Sequence, residues 1–304
     1  MVSASSLLLP SSVRDLAASC VSDGAVRVAC TTPSSTRISS ASSTSSPSTL
    51  SVDVSYRAIP RSPSALPLLL RLIWTHSPAG PPALSFAASA SSPSILLRRR
   101  KGTRSVPWDP PLALFWDLTC AKYGASPEPV SGFYFVAVAD AEVVLAVGDV
   151  AAQFIKAKFE GQIPKARFLP VARTDRVVAA AAGAMHTVWV RFAEGGAEHE
   201  VSVGCSTSSS SRPGDEELWV SVDGKRAVQA RRLRWNFRGN QTVFIDGAPV
   251  DVLWDLHGWW FQDPPRPAVV MLRARSALES RLWLEEEAAA PGFALVVQAF
   301  KAPP

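Results

Sequence analysis

Glu217-Leu218-Trp219-Val220-Ser221-Val222-Asp223-Gly224 decides the fold class. Leu218, Val220 and Val222 recur at every second position, which puts them on one face of an extended chain. Asp223-Gly224 then supplies the residue pair that a two-residue hairpin turn favours, the strongest short-range sign of antiparallel pairing. The same pattern extends in both directions. Residues 242–245 turn at Asp246-Gly247 into 250–256, and 133–138 turn at Asp140-Ala141 into 143–147. Further strands are expected at 52–56, 68–74, 187–192, 198–205, 231–238, 268–273, 280–285 and 293–300, with Ile95-Leu96-Leu97 a shorter one. Helix is expected only at 150–158 and 177–184. Many short strands separated by Gly/Asp turns predict an all-β fold, an antiparallel β-sandwich or flattened barrel. No repeat of fixed period is visible.

Composition sets the domain plan. Residues 1–48 are Ser/Ala-rich with Asp15 and Asp23 as their acids, too little apolar surface to offset ordering entropy, so a disordered tail is expected. A single β domain follows at 49–304, with Pro/Ser-rich loops near 77–94 and 206–215. Of the ten Trp, all but Trp74 lie from Trp108 onward, which places the core in the C-terminal two thirds. The net charge of +5 and pI near 9.2 permit, without requiring, contact with nucleic acid or anionic lipid. The four cysteines are far apart and form no CxxC pair. Neither a disulfide framework nor structural zinc is expected, and a reducing compartment fits. No apolar run reaches the roughly 18 residues of a membrane span. The expected location is intracellular, cytoplasmic or nuclear; the Ser-rich, acid-poor tail offers chloroplast import as the alternative.

Several longer strings carry a resemblance. They include Phe115-Trp116-Asp117-Leu118, Pro127-Glu128-Pro129-Val130-Ser131-Gly132-Phe133-Tyr134, the 217–225 run, Arg232-Leu233-Arg234-Trp235-Asn236-Phe237-Arg238-Gly239-Asn240-Gln241-Thr242, Val250-Asp251-Val252-Leu253-Trp254-Asp255 and Leu278-Glu279-Ser280-Arg281-Leu282-Trp283. In this order they resemble the plant domain-of-unknown-function 868 family. The resemblance implies no activity and no functional residues. Asp140-Ala141 departs from the Asp-Gly that the family tends to carry there, which leaves that turn's type open.

Enzyme motifs are missing: there is no phosphate-binding Gly loop, GxSxG elbow or HExxH. His76, His186, His199 and His257 are scattered, so no catalytic residue, metal site or cofactor is assigned. The most informative stretch is 231–241. Read as a strand, it puts Leu233, Trp235 and Phe237 inward and Arg232, Arg234, Asn236 and Arg238 outward, with Asn240 in the turn beyond. Such a stripe of planar donors suits a phosphate, a carboxylate or a nucleic-acid backbone. The alternative is that its arginines pair across the sheet with Asp251 and Asp255. Trp259 and Trp260 are adjacent and cannot both face inward in an extended segment, so one is a candidate aromatic contact.

These features predict a non-enzymatic binding or scaffold module using the Arg-rich strand face, its partner a protein or an anionic ligand, with a homodimer admitted by strand edges. A carbohydrate-binding or carbohydrate-active sandwich is the alternative, drawn from the Trp pair and the Asp251/Asp255 pair. Nucleic-acid binding, through Arg98-Arg99-Arg100-Lys101, is the third.

Overall fold

A computed structural model describes residues 49–77, 80–89, 91–179, 185–206, 216–275 and 292–301. The first ten strands are β1 (Thr49–Ile59), β2 (Leu68–Ser77), β3 (Gly80–Ala87), β4 (Ile95–Leu97), β5 (Lys101–Val106), β6 (Leu112–Asp117), β7 (Lys122–Tyr123), β8 (Pro129–Ser131), β9 (Tyr134–Ala139) and β10 (Glu142–Val147). Helix α1 (Ala151–Phe159) leads to β11 (Arg167–Ala179), β12 (Met185–Val190), β13 (His199–Ser206), β14 (Glu217–Val222) and β15 (Lys225–Arg231). The chain then forms β16 (Arg238–Ile245), β17 (Ala248–Asp255), the short helix α2 (His257–Phe261), β18 (Ala268–Ala274) and β19 (Ala294–Lys301). The expected tail, the loop at 206–215 beyond Ser206 and the strand at 280–285 lie outside the described residues.

The fold is all-β and no sheet closes into a barrel. A nine-stranded sheet runs β16-β17-β18-β19-β11-β1-β2-β3-β4, and two four-stranded sheets, β10-β9-β6-β5 and β12-β13-β14-β15, face its two halves. All pairs are antiparallel except β11 with β19. One core joins Val52, Leu72, Trp74 and Phe86 to Leu114, Trp116 and Phe135. The other joins Val250, Leu272 and Leu295 to Val201, Leu218 and Val220. Strand β9 is buried along its whole length because α1 covers its outer face, Phe154 stacking on Tyr134 at 4.2 Å. A fully buried side chain of that size contributes roughly 1.5–3 kcal/mol.

The two halves repeat one plan, four consecutive strands packed on four that follow them, with the β7-β8 pair inserted in the first half, and a local motif repeats with it. Gly102 lies opposite Trp116, and Gly239 opposite Trp254. In both hairpins the Trp indole donates to a carbonyl three residues before the Gly, Trp116 to Arg99 O at 2.8 Å and Trp254 to Asn236 O at 3.0 Å. The next residue, Asp117 or Asp255, pairs with the base preceding the Gly, Lys101 or Arg238, at 3.0 Å in each case. Leu118 and Leu256 then donate to Arg100 O and Phe237 O, both at 2.7 Å. A repeat is therefore present where the sequence showed no fixed period, and Trp-Asp-Leu at 116–118 and 254–256 marks it.

Several expectations shift. The connection at 77–94 contains β3, and 177–179 belong to β11 rather than to a helix. Asp140 and Ala141 both have positive φ, 46° and 57°, which identifies the turn as type I′ despite the missing Gly.

Candidate functional site

Strands β11 and β12 build the site. Asp175 lies mid-β11 between Val52 of β1 and Val297 of β19 and has no exposed surface. A carboxylate so deep must be compensated by charge or hydrogen bonds. His186 of β12 bonds Asp175 Oδ2 through Nε2 at 2.8 Å. Two residues before Asp175, and so on the same face of β11, Arg173 holds its Nε 2.9 Å from Asp175 Oδ1, an ion pair without hydrogen-bond alignment. Arg173 Nη1 also donates to Glu128 Oε2 at 2.7 Å. Burial, reinforced by Glu128, pushes the Tyr56 phenol well above its ordinary value, so it remains an uncharged hydroxyl.

Over this network opens a cleft of about 480 Å³. One wall is the connection between β7 and β8, ending at Val130; the other is the consecutive run from Met185 to Trp189. Large apolar side chains stand out at its rim: Trp189 is 57% exposed and Val130 74%. The cleft thus offers an apolar rim over a floor of Glu128, Arg173 and His186, held in place by buried Asp175. Sequence reasoning missed this site. His186 and Asp175 stand 11 residues apart on different sheets, and no local pattern joins them.

The Arg stripe is not a strand face. The hairpin at Asp223-Gly224 starts its second strand at Lys225, so β15 ends at Arg231 and the chain coils through 232–237. Arg232 has φ 56°, Trp235 and Asn236 both donate their amides to Arg232 O, and Leu233 is fully buried as the anchor of the turn. Coiling breaks the alternation: Trp235, expected inside, is 83% exposed. Arg234 pairs with Glu216 at 3.3 Å and lies over the Trp260 ring at 5.1 Å. Asn236 donates its side chain to Arg231 O at 2.7 Å. Arg238 pairs with Asp255 as the cross-strand alternative expected, whereas Asp251 binds Arg275 and Thr242 instead. Asn240 is exposed on edge strand β16, past the turn rather than in it.

Trp259 and Trp260 are not in an extended segment. They sit in α2, half-buried against the C-terminal core with their rings edge to face, and Lys301 covers Trp259 at 5.2 Å. Neither is an open aromatic platform. Asp251 is also spoken for: the Arg275 hydrogen bond, and then Thr242, hold it below its ordinary value, the wrong direction for a general acid. In the basic run, Arg100 donates to Leu118 O and Lys101 pairs with Asp117, which ties half of that run into the fold.

Cys120 is disulfide-bonded, a bridge that the spacing of the cysteines did not announce, because spacing along the chain does not fix closeness in space. Cys205 is free, and burial together with Glu216 and Glu217 pushes its thiol up to about 11, far from a nucleophile. Among the described residues no three His, Cys, Asp or Glu group around a metal position, and no helix is long and apolar enough to cross a membrane.

Residues 67–301 match the family described as plant protein of unknown function (DUF868). No curated protein matches the chain, and no solved structure does.

Proposed function

We propose that this chain, which belongs to the DUF868 family of plant proteins of unknown function, is a non-enzymatic binding module whose ligand sits in the cleft over Asp175 and His186. The observation that carries the reading is the exposed Trp189 standing beside a polar network already organised by a buried carboxylate. Small-molecule sites combine concave apolar surface with a few fixed polar groups, and this cleft lies within their usual size of about 300–1,000 Å³. Asp175 orients His186 as a hydrolase would orient its base, yet among the described residues no hydroxyl or thiol is hydrogen-bonded to that ring. The arrangement therefore favours recognition over nucleophilic catalysis. The test is capture from plant extract, with bound small molecules released by denaturation and identified by mass. Wild type is expected to carry a compound that Trp189→Ala lacks; equal cargo in both, or none, sinks the reading.

A second reading keeps the arginines. Trp235 protrudes directly after Arg234, and one so exposed suits a partner contact. Partner retention lost in the triple variant Arg232→Ser, Arg234→Ser, Arg238→Ser would support a macromolecular contact there. Binding to nucleic acid through this turn would weaken steeply with salt. Unchanged retention leaves the arginines as surface ion pairs.

A further inference from the structure

We infer that the cleft's ligand is a hydroxyl-rich ring, a saccharide or a similar polyol, an inference that rests on the cleft being the binding site. The atoms left open on its floor decide the class. Asp175 is acceptor-only, so the hydrogen between it and His186 belongs to His186 Nε2. Glu128 gives one oxygen to Arg173 and keeps Oε1, an acceptor without a partner among the described residues. That open acceptor asks for a ligand that brings hydrogens, which disfavours phosphate and carboxylate groups. The floor also carries two carboxylates against one guanidinium, a balance that repels anions.

Ammonium and hydroxyl groups both bring hydrogens. An ammonium reaching Glu128 would stand beside the Arg173 cation already bonded to that carboxylate. Hydroxyls carry no such penalty, and each accepts as well as donates, so one group can serve Arg173 and Glu128 together. Trp189 adds to the match: exposed, and lining the same cleft at the edge of β12, it offers apolar surface at the rim for the C–H face of a sugar ring. This places the carbohydrate-type contact at Trp189 rather than at the buried-side Trp259 and Trp260.

The experiment is melting of the full chain against soluble saccharides, with choline and citrate as cationic and anionic probes, in wild type, Trp189→Ala and Glu128→Gln. A saccharide is expected to raise the melting temperature of wild type. Its affinity is expected to fall on the order of ten-fold in each variant, the size typical of losing one aromatic or charged anchor. Unliganded melts establish that both variants fold. Choline or citrate binding that depends on Trp189 would overturn the ligand class and leave the cleft standing as the site. A saccharide effect that survives in Trp189→Ala would put the sugar elsewhere and overturn the inference. If no saccharide binds while extract capture yields a Trp189-dependent compound of another kind, the inference fails and the binding reading survives.

Discussion

Trp254 lies flat across Gly239, its partner on the edge strand β16, so closely that a Cβ on Gly239 would stand 2.2 Å from the indole. Trp116 covers Gly102 on the edge strand β5 in the same way, with 2.7 Å for the corresponding contact. An indole over an edge glycine covers bare backbone and pins the register of the pair. Gly239→Ala is expected to destabilise the protein. Stiffening the unfolded chain gains only about 0.4–1 kcal/mol. Forcing aside an indole tethered to Asn236 O costs about 1–3 kcal/mol. Urea denaturation of Gly102→Ala and Gly239→Ala checks this, and a stabilised variant would mean the indole is free to move.

Asp175→Asn leaves Arg173 and His186 facing an uncharged amide in the interior. Breaking a buried pair from one side costs about 3–5 kcal/mol. Chemical denaturation should show a loss in that range with the m-value unchanged. A loss below about 1 kcal/mol would mean that water already solvates Asp175.

The pH dependence of stability should carry the signature of His199. Its Nδ1 faces Asp223 Oδ2 at 2.7 Å and its Nε2 faces Asp246 Oδ2 at 2.9 Å, so the ring clamps two hairpin turns together as an imidazolium. The hydrogen bonds to Asp223 and then Asp246 raise its pKa above 6.5. A group raised on folding contributes fully below its unfolded value and loses that contribution as pH rises through its folded value. Asp223, lowered by His199, acts at the other end, losing its share as pH falls through its depressed value. Wild type should therefore lose more stability than His199→Gln as pH rises from about 6.5 through the raised value of His199. Parallel curves would remove the clamp.

Arg238→Ser should cost less than about 1 kcal/mol, because its pair with Asp255 is exposed at the surface. The triple arginine variant should remain folded on its buried Leu233 anchor, at the added cost of leaving the buried Glu216 carboxylate without Arg234, which circular dichroism and a melting curve check. Its collapse would show that the 232–237 turn depends on these side chains rather than on buried Leu233.

The hairpins were legible because Asp223-Gly224 and Asp246-Gly247 do their work locally; Asp223 and Asp246 do take positive φ, 51° and 50°. Strands β11 and β15 were among those that were not. Strand β11 carries Pro170 and a mixture of charged and apolar residues, with no alternation, because it sits between β19 and β1 and pairs Arg173 and Asp175 inside the protein. Strand β15 was displaced by the better-looking alternation at 231–238. Two-residue turn geometry at Asp223-Gly224 would have placed it at Lys225. The repeat was readable in the two Trp-Asp-Leu triplets, 138 residues apart, a spacing beyond any local period. The cleft was not readable at all, since only the pairing of β11 with β1 and β19 buries Asp175, and burial is what gives His186 its role.

The most direct test of the binding role is the melting temperature of wild type and Trp189→Ala with and without a deproteinised small-molecule fraction of plant tissue. A ligand that binds only the folded state stabilises it by mass action, about 2.7 kcal/mol at a hundred-fold excess over its Kd. Wild type should melt several degrees higher in the fraction, and Trp189→Ala should not move. Equal shifts in both proteins, or none in either, would contradict a binding function for this cleft.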